Sequence, residues 1–185
     1  MGVPSPPLTE ISSPLRDSSI PPSELSVQFA RWVSGYYHHD ALHSSLFPTL
    51  PRSDLISRFA QSPLASPPPN EQATMERMSP EVLAEVADFE GTNRSHIPIA
   101  SKIDHEVYGK NLRAALLQNA LRSVRFELVW CQMSPPDTAY ASWCLADAIK
   151  SLRNSRDVRM WTFEGANHFV SHVEHPPIIS FSSTL

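Results

Sequence analysis

The fold of this chain is decided by residues 124–176, VRFELVWCQMSPPDTAYASWCLADAIKSLRNSRDVRMWTFEGANHFVSHVEHP. The apolar run Phe126–Gln132 predicts a first strand, and Val158–Phe163 predicts a second one. Between them, apolar residues recur at helical spacing from Tyr140 to Leu152. A strand, a helix and a strand with short joints are typical of a βαβ unit, in which the strands are parallel and the crossover is right-handed.

The predicted fold class is α/β, with a mainly helical region followed by a C-terminal βαβ unit of two parallel strands. Two parallel strands do not form a sheet that can bury both faces, so we expect an exposed sheet edge and a partial fold. The expected organisation is a disordered N-terminus at 1–22, a helical region at 23–122, the βαβ part at 123–178 and a tail at 179–185. The disorder is predicted because 1–22 holds six prolines, many serines and no apolar periodicity.

The helical region is predicted from apolar periodicity. An amphipathic helix is expected after an N-cap at Ser23, with one apolar face formed by Leu25, Phe29, Trp32, Val33 and Tyr36. Its aromatic residues Trp32, Tyr36 and Tyr37 either pack against the core or line a pocket.

Further along the region, Ser79-Pro80 predicts the start of a second helix, whose apolar face runs to a stop at Gly91. We expect a loop at 93–101 and another helix at 104–121.

Composition and charge exclude several classes of function. The net charge is −4 and no basic run is interleaved with aromatic residues, so we expect no nucleic-acid partner. No apolar run approaches the ~20 residues that a membrane-spanning helix needs, so we expect no membrane association. Cys131 and Cys144 fall in a predicted strand and helix and are interpreted as buried thiols in a reducing compartment. Together with the lack of a signal-peptide pattern, this predicts a cytoplasmic protein.

Two residues are candidates for catalysis, His168 and Asp137. His168 follows the second strand in the turn Glu164–Phe169, where Gly165 allows the backbone to bend, and Asp137 follows the first strand. Functional groups of open α/β sheets gather at the carboxyl ends of the strands, so a carboxylate on one loop can orient a histidine on the next. The alternative is that His168 only caps a turn and Asp137 only caps the following helix.

The other histidines form no recognised motif. His168, His172, Glu174 and His175 lie close in sequence, but neither an HExxH motif nor a cysteine pair at zinc spacing is present, so we expect no metal. His38, His39 and His43 are expected to cap a helix end. No phosphate-binding loop exists, and no cofactor is expected.

The strand–helix–strand of 126–163, the turn GANHF and Glu174-His175-Pro176 resemble the C-terminal half of the α/β-hydrolase fold, in particular fungal members with a helical cap. Three further segments add to the resemblance: WVSGYYHH, TMERMSPEVLAEVADFEG and WCQMSP. The resemblance extends over about residues 24–178. It implies that the helical region is a cap, that His168 is the base of a Ser–His–Asp triad and that the intact enzyme hydrolyses an ester, amide or related bond of a small molecule.

The chain departs from this family in two ways. Aligning Cys131 with the glycine of the family's Gly-x-x-Asp turn puts Ser134 at the position of the acid, and Asp137 lies three residues later. The Gly-x-Ser-x-Gly nucleophile elbow is missing, because no two of the five glycines flank a serine at that spacing.

The expected function is therefore an α/β-hydrolase-like part that is inactive alone and acts on a small-molecule substrate when the missing half completes it. The alternative is a non-catalytic helical module that associates through an exposed sheet edge, with itself or with another chain.

Overall fold

A computed structural model gives the architecture of the chain and describes residues 10–40, 49–102, 105–117, 124–150, 158–169 and 178–179. His43, His172, Glu174 and His175 lie outside the described residues. In chain order the elements are α1 (Pro22–Val33), α2 (Arg52–Ser57), α3 (Pro80–Val86), α4 (Phe89–Gly91), α5 (Ile97–Lys102), α6 (His105–Leu117), β1 (Phe126–Cys131), α7 (Pro136–Lys150), β2 (Val158–Phe163) and β3 (Ile178–Ile179). Short 3₁₀ helices cover Pro14–Arg16, Pro69–Glu71 and Thr74–Arg77, and Thr92–His96 is π-helical.

The predicted βαβ unit is confirmed. β1 and β2 pair in parallel, with Phe126 opposite Val158 and Cys131 opposite Phe163, and α7 connects them. Both strands begin where they were predicted, because runs of apolar and β-branched residues favour extended backbone. The chain is thus of the α/β type, with helices and parallel strands in one sheet.

The sheet has a third strand that the sequence did not predict. Ile178–Ile179 pairs antiparallel with β2, opposite Phe163 and Thr162, so the strand order is β1-β2-β3. Two residues carry too little periodicity to be recognised as a strand, and only the neighbouring β2 defines them as one. The expectation of two parallel strands and a tail from 179 is therefore corrected to a mixed three-stranded sheet.

One face of the sheet packs on the hydrophobic core. Trp130 of β1 and Met160 of β2 point to the same side as α7, whose Ala139, Tyr140 and Cys144 join the cluster. The cluster is completed from the helical region by Leu55 and Phe59 and from the N-terminus by Ile11. Cys131 and Cys144 are both buried free thiols, as predicted.

Residues 10–20 depart from the predicted disorder. Ile11 is 2% exposed within the core, and Arg16 bonds to Asp137 of α7. The composition of the segment does not predict ordered structure. The segment is ordered because Ile11 packs in a core that other parts of the chain form and because Arg16 binds Asp137. Residues 1–9 lie outside the described part.

The helical region agrees with the sequence in part. α1 runs from Pro22 to Val33, so the predicted cap Ser23 lies inside the helix and Tyr36 lies beyond its end. The Ser79 side chain accepts a hydrogen bond from the Val82 N–H at 3.3 Å, as expected for an N-cap. The predicted loop at 93–101 is wrong, because Thr92–His96 and α5 are helical. The predicted helix up to Gly91 is interrupted after Val86, where the Ala87 backbone is extended, and Gly91 is the last residue of α4 but has a helical φ of −60°, so the helical backbone continues into Thr92–His96. Within the described residues no helix combines the length and apolar character needed to cross a membrane.

Candidate functional site

The loops that follow β1 and β2 lie side by side at the carboxyl edge of the sheet. The Gln132 N–H donates to the Phe163 carbonyl at 3.0 Å, and the Met133 N–H donates to the Ala166 carbonyl at 2.9 Å. The Gly165 N–H donates to Gln132 Oε1 at 3.3 Å. Parallel strands bring their carboxyl ends to one edge, so the two predicted site loops are neighbours, as the βαβ arrangement requires.

Gly165 turns the chain at the end of β2. Its φ is +69°, a left-handed conformation that residues with a side chain rarely adopt. A Cβ placed there would meet no atom within 4 Å, so the need for glycine is purely conformational. The turn directs Ala166 and Asn167 inward and leaves His168 at the surface.

Asn167 is a site residue that the sequence did not single out. It is fully buried, and its Nδ2 donates to the Ser34 carbonyl at 2.7 Å and to Thr74 Oγ1 at 2.9 Å. Its Oδ1 accepts the Phe169 N–H at 3.0 Å. The Asn167 side chain therefore connects the backbone on both sides of His168 to the helical region. In the sequence, only the position of Asn167 inside the GANHF turn could have indicated that it belongs to the site.

His168 is exposed, and its ring meets the Phe169 ring edge to face at a centroid distance of 5.8 Å. Neighbouring protein atoms remove part of the water around the imidazole, and this desolvation lowers its pKa below the ordinary value. The neutral ring, which can accept a proton, is therefore the main form at neutral pH. Among the described residues no hydrogen bond to the His168 ring is present.

Asp137 lies in the first turn of α7 and binds Arg16. Arg16 Nη2 donates to Asp137 Oδ1 at 2.9 Å and Arg16 Nη1 donates to Oδ2 at 3.1 Å, the two-point geometry that suits a guanidinium and a carboxylate. The same Nη2 also donates to the Ile11 carbonyl at 2.8 Å. The structure thus joins Asp137 to the N-terminal segment, and in the described residues it makes no hydrogen bond to His168.

Ser134 occupies the position that corresponds to the family's acid. It is 1% exposed, and its hydroxyl has no hydrogen-bond partner among the described residues. Its carbonyl accepts a hydrogen bond from His39 Nε2 at 2.8 Å. Ser134 therefore contributes a buried hydroxyl and a backbone contact in place of a carboxylate.

His39 links three segments instead of capping a helix. Its Nδ1 accepts the Ala60 N–H at 3.0 Å, so Nε2 carries the proton that is donated to Ser134. Burial lowers the pKa of this imidazole, which is consistent with a neutral ring that uses one nitrogen as donor and the other as acceptor. The neighbouring His38 contacts Glu71 Oε2 at 2.6 Å on the surface.

Three aromatic residues at or just after the end of α1 pack within the protein and do not line the cavity between α1 and α3: Trp32, Tyr36 and Tyr37. Tyr36 and Tyr37 are 3% and 0% exposed, and the Tyr37 hydroxyl donates to the Trp32 carbonyl at 2.9 Å. The Tyr37 N–H donates to the Met133 carbonyl at 3.1 Å, which holds the end of α1 on the loop after β1. These residues connect the helical region to the edge that carries His168.

A cavity of about 540 Å³ lies beside this edge, between α1, the Thr74–Arg77 turn, α3 and residues 88–96. Phe169, the residue after His168, forms part of its wall. The sequence did not predict it, because the wall is assembled from four separate segments.

Within the ranges that the structure describes, no group of three or more His, Cys, Asp or Glu side chains could hold a metal ion. Comparison of the chain with protein-family models, with curated proteins and with solved structures finds no match. The assignment of a function therefore rests on the residues and the geometry of the chain itself.

Proposed function

We propose that the chain forms the cap-like and C-terminal part of an α/β-hydrolase-type site, with His168 as the general base of a Ser–His–Asp mechanism. The observation that carries the proposal is the turn Gly165–Phe169 at the carboxyl end of β2, beside the loop after β1. It presents an exposed imidazole whose lowered pKa keeps it neutral and able to accept a proton from a serine.

The buried hydrogen bonds of Asn167 support this role for His168. A base must hold its ring at one place relative to the nucleophile, and misplacement of about 1 Å is expected to reduce a rate by about 100-fold. Asn167 fixes the backbone on both sides of the histidine to Ser34 and Thr74 of the helical region. These hydrogen bonds restrain the turn that carries His168.

The acid of the proposed triad is Asp137, and its use requires a rearrangement. Both carboxylate oxygens are bound by Arg16, and the two side chains are 27% and 23% exposed. Asp137 can orient His168 only if this ion pair opens or is shared. Replacement of Arg16 by methionine is therefore expected to free the proposed acid.

The serine nucleophile has to come from a Gly-x-Ser-x-Gly elbow, which the 185 residues do not contain. Without a nucleophile and an oxyanion hole, the main contributions to acyl transfer are missing. We expect the 185-residue chain to hydrolyse p-nitrophenyl butyrate no faster than buffer. Activity that is lost in His168→Ala would show that the assignment of a missing nucleophile is wrong.

Sequencing of the full-length transcript that encodes this chain is the direct test. A reading frame continuous with Met1 that encodes Gly-x-Ser-x-Gly after a strand would support the proposal. In the protein made from it, His168→Ala should lower kcat for p-nitrophenyl esters by about 1,000-fold or more, whereas the exposed control His38→Ala should have little effect. A transcript without such an elbow, or full activity in His168→Ala, would contradict the proposal.

A non-catalytic interaction module is the second candidate, and the exposed side of the sheet in the described part of the chain favours it. β1 is the terminal strand of the sheet order, and Val129 is 53% exposed on the face opposite to the core. In the parallel register Val129 lies opposite Trp161, so an apolar pair sits on this face. Exposed apolar strands of this kind favour association with another chain.

Sedimentation of the purified chain tests this candidate. Self-association that is abolished by Val129→Lys would support it. The control Val82→Lys changes a 44% exposed valine on α3 and should have no effect. A chain that stays monomeric at high concentration would contradict association with itself.

A further inference from the structure

The cavity beside the His168 turn has the size and the wall of a ligand site. Its volume of about 540 Å³ lies within the range of small-molecule sites, which is about 300–1,000 Å³. α1 contributes Ser26, Phe29, Ala30 and Val33, which follow the i, i+3, i+4, i+7 spacing and so form one face of the helix. This face of α1 therefore borders the cavity.

The wall is mainly apolar and adaptable. Its apolar side chains include Phe29, Met75, Met78, Leu83, Phe89 and Phe169. Methionine fills irregular space easily and makes favourable contacts with aromatic rings, so such a wall accommodates chains of different shape. These residues favour a ligand with a flexible apolar body.

Arg94 gives the cavity a charge that nothing in the described chain neutralises. It borders the cavity from the π-helical turn Thr92–His96 and is exposed. Arg16, Arg31 and Arg52 each pair with a carboxylate, whereas Arg94 has no ion pair or side-chain hydrogen bond in the described part of the chain. π-Helical turns are often found at functional sites.

The one carboxylate in the wall is already engaged. Asp88 Oδ1 accepts the Gly91 N–H at 2.7 Å at the start of α4, and its carboxyl group covers the space where a Cβ of Gly91 would lie. Its negative charge is directed to the amino end of this helical stretch, where it is favourable. Arg94 is therefore the permanently charged group of the wall that remains available for a charged ligand, beside the exposed imidazole of His96.

We propose that the cavity binds an amphipathic monocarboxylate, a molecule with an apolar chain and one carboxylate. The chain occupies the space between the phenylalanine and methionine side chains, and the carboxylate binds the Arg94 guanidinium, whose planar donors suit two carboxylate oxygens. This inference goes beyond the proposed hydrolase function, because binding uses neither His168 nor a nucleophile.

Titration calorimetry with three ten-carbon probes tests the proposal, each used below the concentration at which it aggregates. Decanoate should bind about 5- to 10-fold more tightly than 1-decanol, because only the carboxylate gains the charged contact. Decylamine should bind more weakly than 1-decanol, since its charge has the same sign as that of Arg94.

Substitutions in the cavity wall test whether decanoate binds there. Arg94→Gln should remove the preference for decanoate over 1-decanol without changing the affinity for 1-decanol. The control Arg159→Gln changes an exposed arginine of β2, outside the wall, and should leave all affinities unchanged. Ala30→Phe, which fills part of the cavity, should weaken both decanoate and 1-decanol.

Three outcomes would overturn the proposal: no saturable binding of decanoate, equal affinity for decanoate and 1-decanol, or an unchanged preference in Arg94→Gln. Urea unfolding of each variant establishes that it is folded. Because Arg94 is exposed, its replacement should leave the unfolding midpoint unchanged.

Discussion

Replacement of His39 by phenylalanine removes two hydrogen bonds and keeps an aromatic ring in place. The His39 ring is stacked on Tyr37 at a centroid distance of 6.1 Å and meets Phe59 edge to face at 5.4 Å. A phenylalanine can retain both contacts. Any loss of stability therefore reports on the hydrogen bonds to the Ser134 carbonyl and from the Ala60 N–H.

The expected magnitude follows from the groups left behind. In His39→Phe one backbone carbonyl and one backbone N–H lose their partner in a partly buried place. Each such group costs about 1–3 kcal/mol when it is fully buried, and partial access of water brings the sum to about 2–3 kcal/mol. This is a large share of the ~5–15 kcal/mol that stabilises a typical domain.

Burial of the ring makes the contribution of His39 to stability dependent on pH. Burial lowers the pKa of His39 in the folded chain below its unfolded value of about 6.5, so the unfolded chain binds the proton more tightly. The contribution is complete above this unfolded value and is lost as the pH falls below it, by at most about 1.4 kcal/mol per pH unit. Phenylalanine does not titrate, so the stability difference between wild type and His39→Phe should shrink from pH 7.5 to pH 5.

Urea unfolding followed by tryptophan fluorescence at pH 7.5, 6.5, 5.5 and 5 measures this difference. His38→Phe is the matched control, since His38 is the exposed neighbour and a surface contact such as that with Glu71 contributes about 0–1 kcal/mol. A cost in His39→Phe no larger than in His38→Phe would refute the structural role of His39. Curves for wild type and His39→Phe that stay parallel from pH 7.5 to pH 5 would refute the assigned neutral ring.

Three further substitutions test other parts of the fold by the same unfolding assay. Ile11→Ala should cost about 2–4 kcal/mol because Ile11 is buried in the core, whereas a disordered N-terminus would make it neutral. Gly165→Ala should cost about 1–2 kcal/mol from its left-handed backbone alone, and no loss would show that the turn relaxes. Arg16→Met and Asp137→Asn should show a coupling energy of about 1 kcal/mol in a double-mutant cycle, and additive effects would show that the ion pair contributes nothing.

Local sequence patterns were sufficient to predict the βαβ unit at the centre of the fold. The two parallel strands and α7 could be predicted because each is a continuous run of residues with one periodicity and clear ends. The placement of His168 and Asp137 after neighbouring parallel strands, at the carboxyl edge of the sheet, followed from that topology. Whether they act together is not a local property, and the ion pair of Asp137 with Arg16 joins residues 121 positions apart.

Other features depend on contacts that leave no local trace. The packing of Ile11 and the pairing of β3 require a core and a neighbouring strand that other segments provide. The helical turn at 92–96 contradicts its loop-like composition, because the Asp88 cap and α1 stabilise it from outside. The cavity likewise exists only where four segments meet.

The sequence by itself therefore determined the α/β class, the βαβ unit and the turn that presents His168, because apolar periodicity and a glycine specify backbone conformation locally. Only the tertiary structure decided that Asn167 fixes this turn, that Arg16 holds Asp137 and that Arg94 faces an apolar cavity. Hydrogen bonds, ion pairs and cavities arise between residues that are distant in the chain, and their partners are chosen by the packing of the whole molecule.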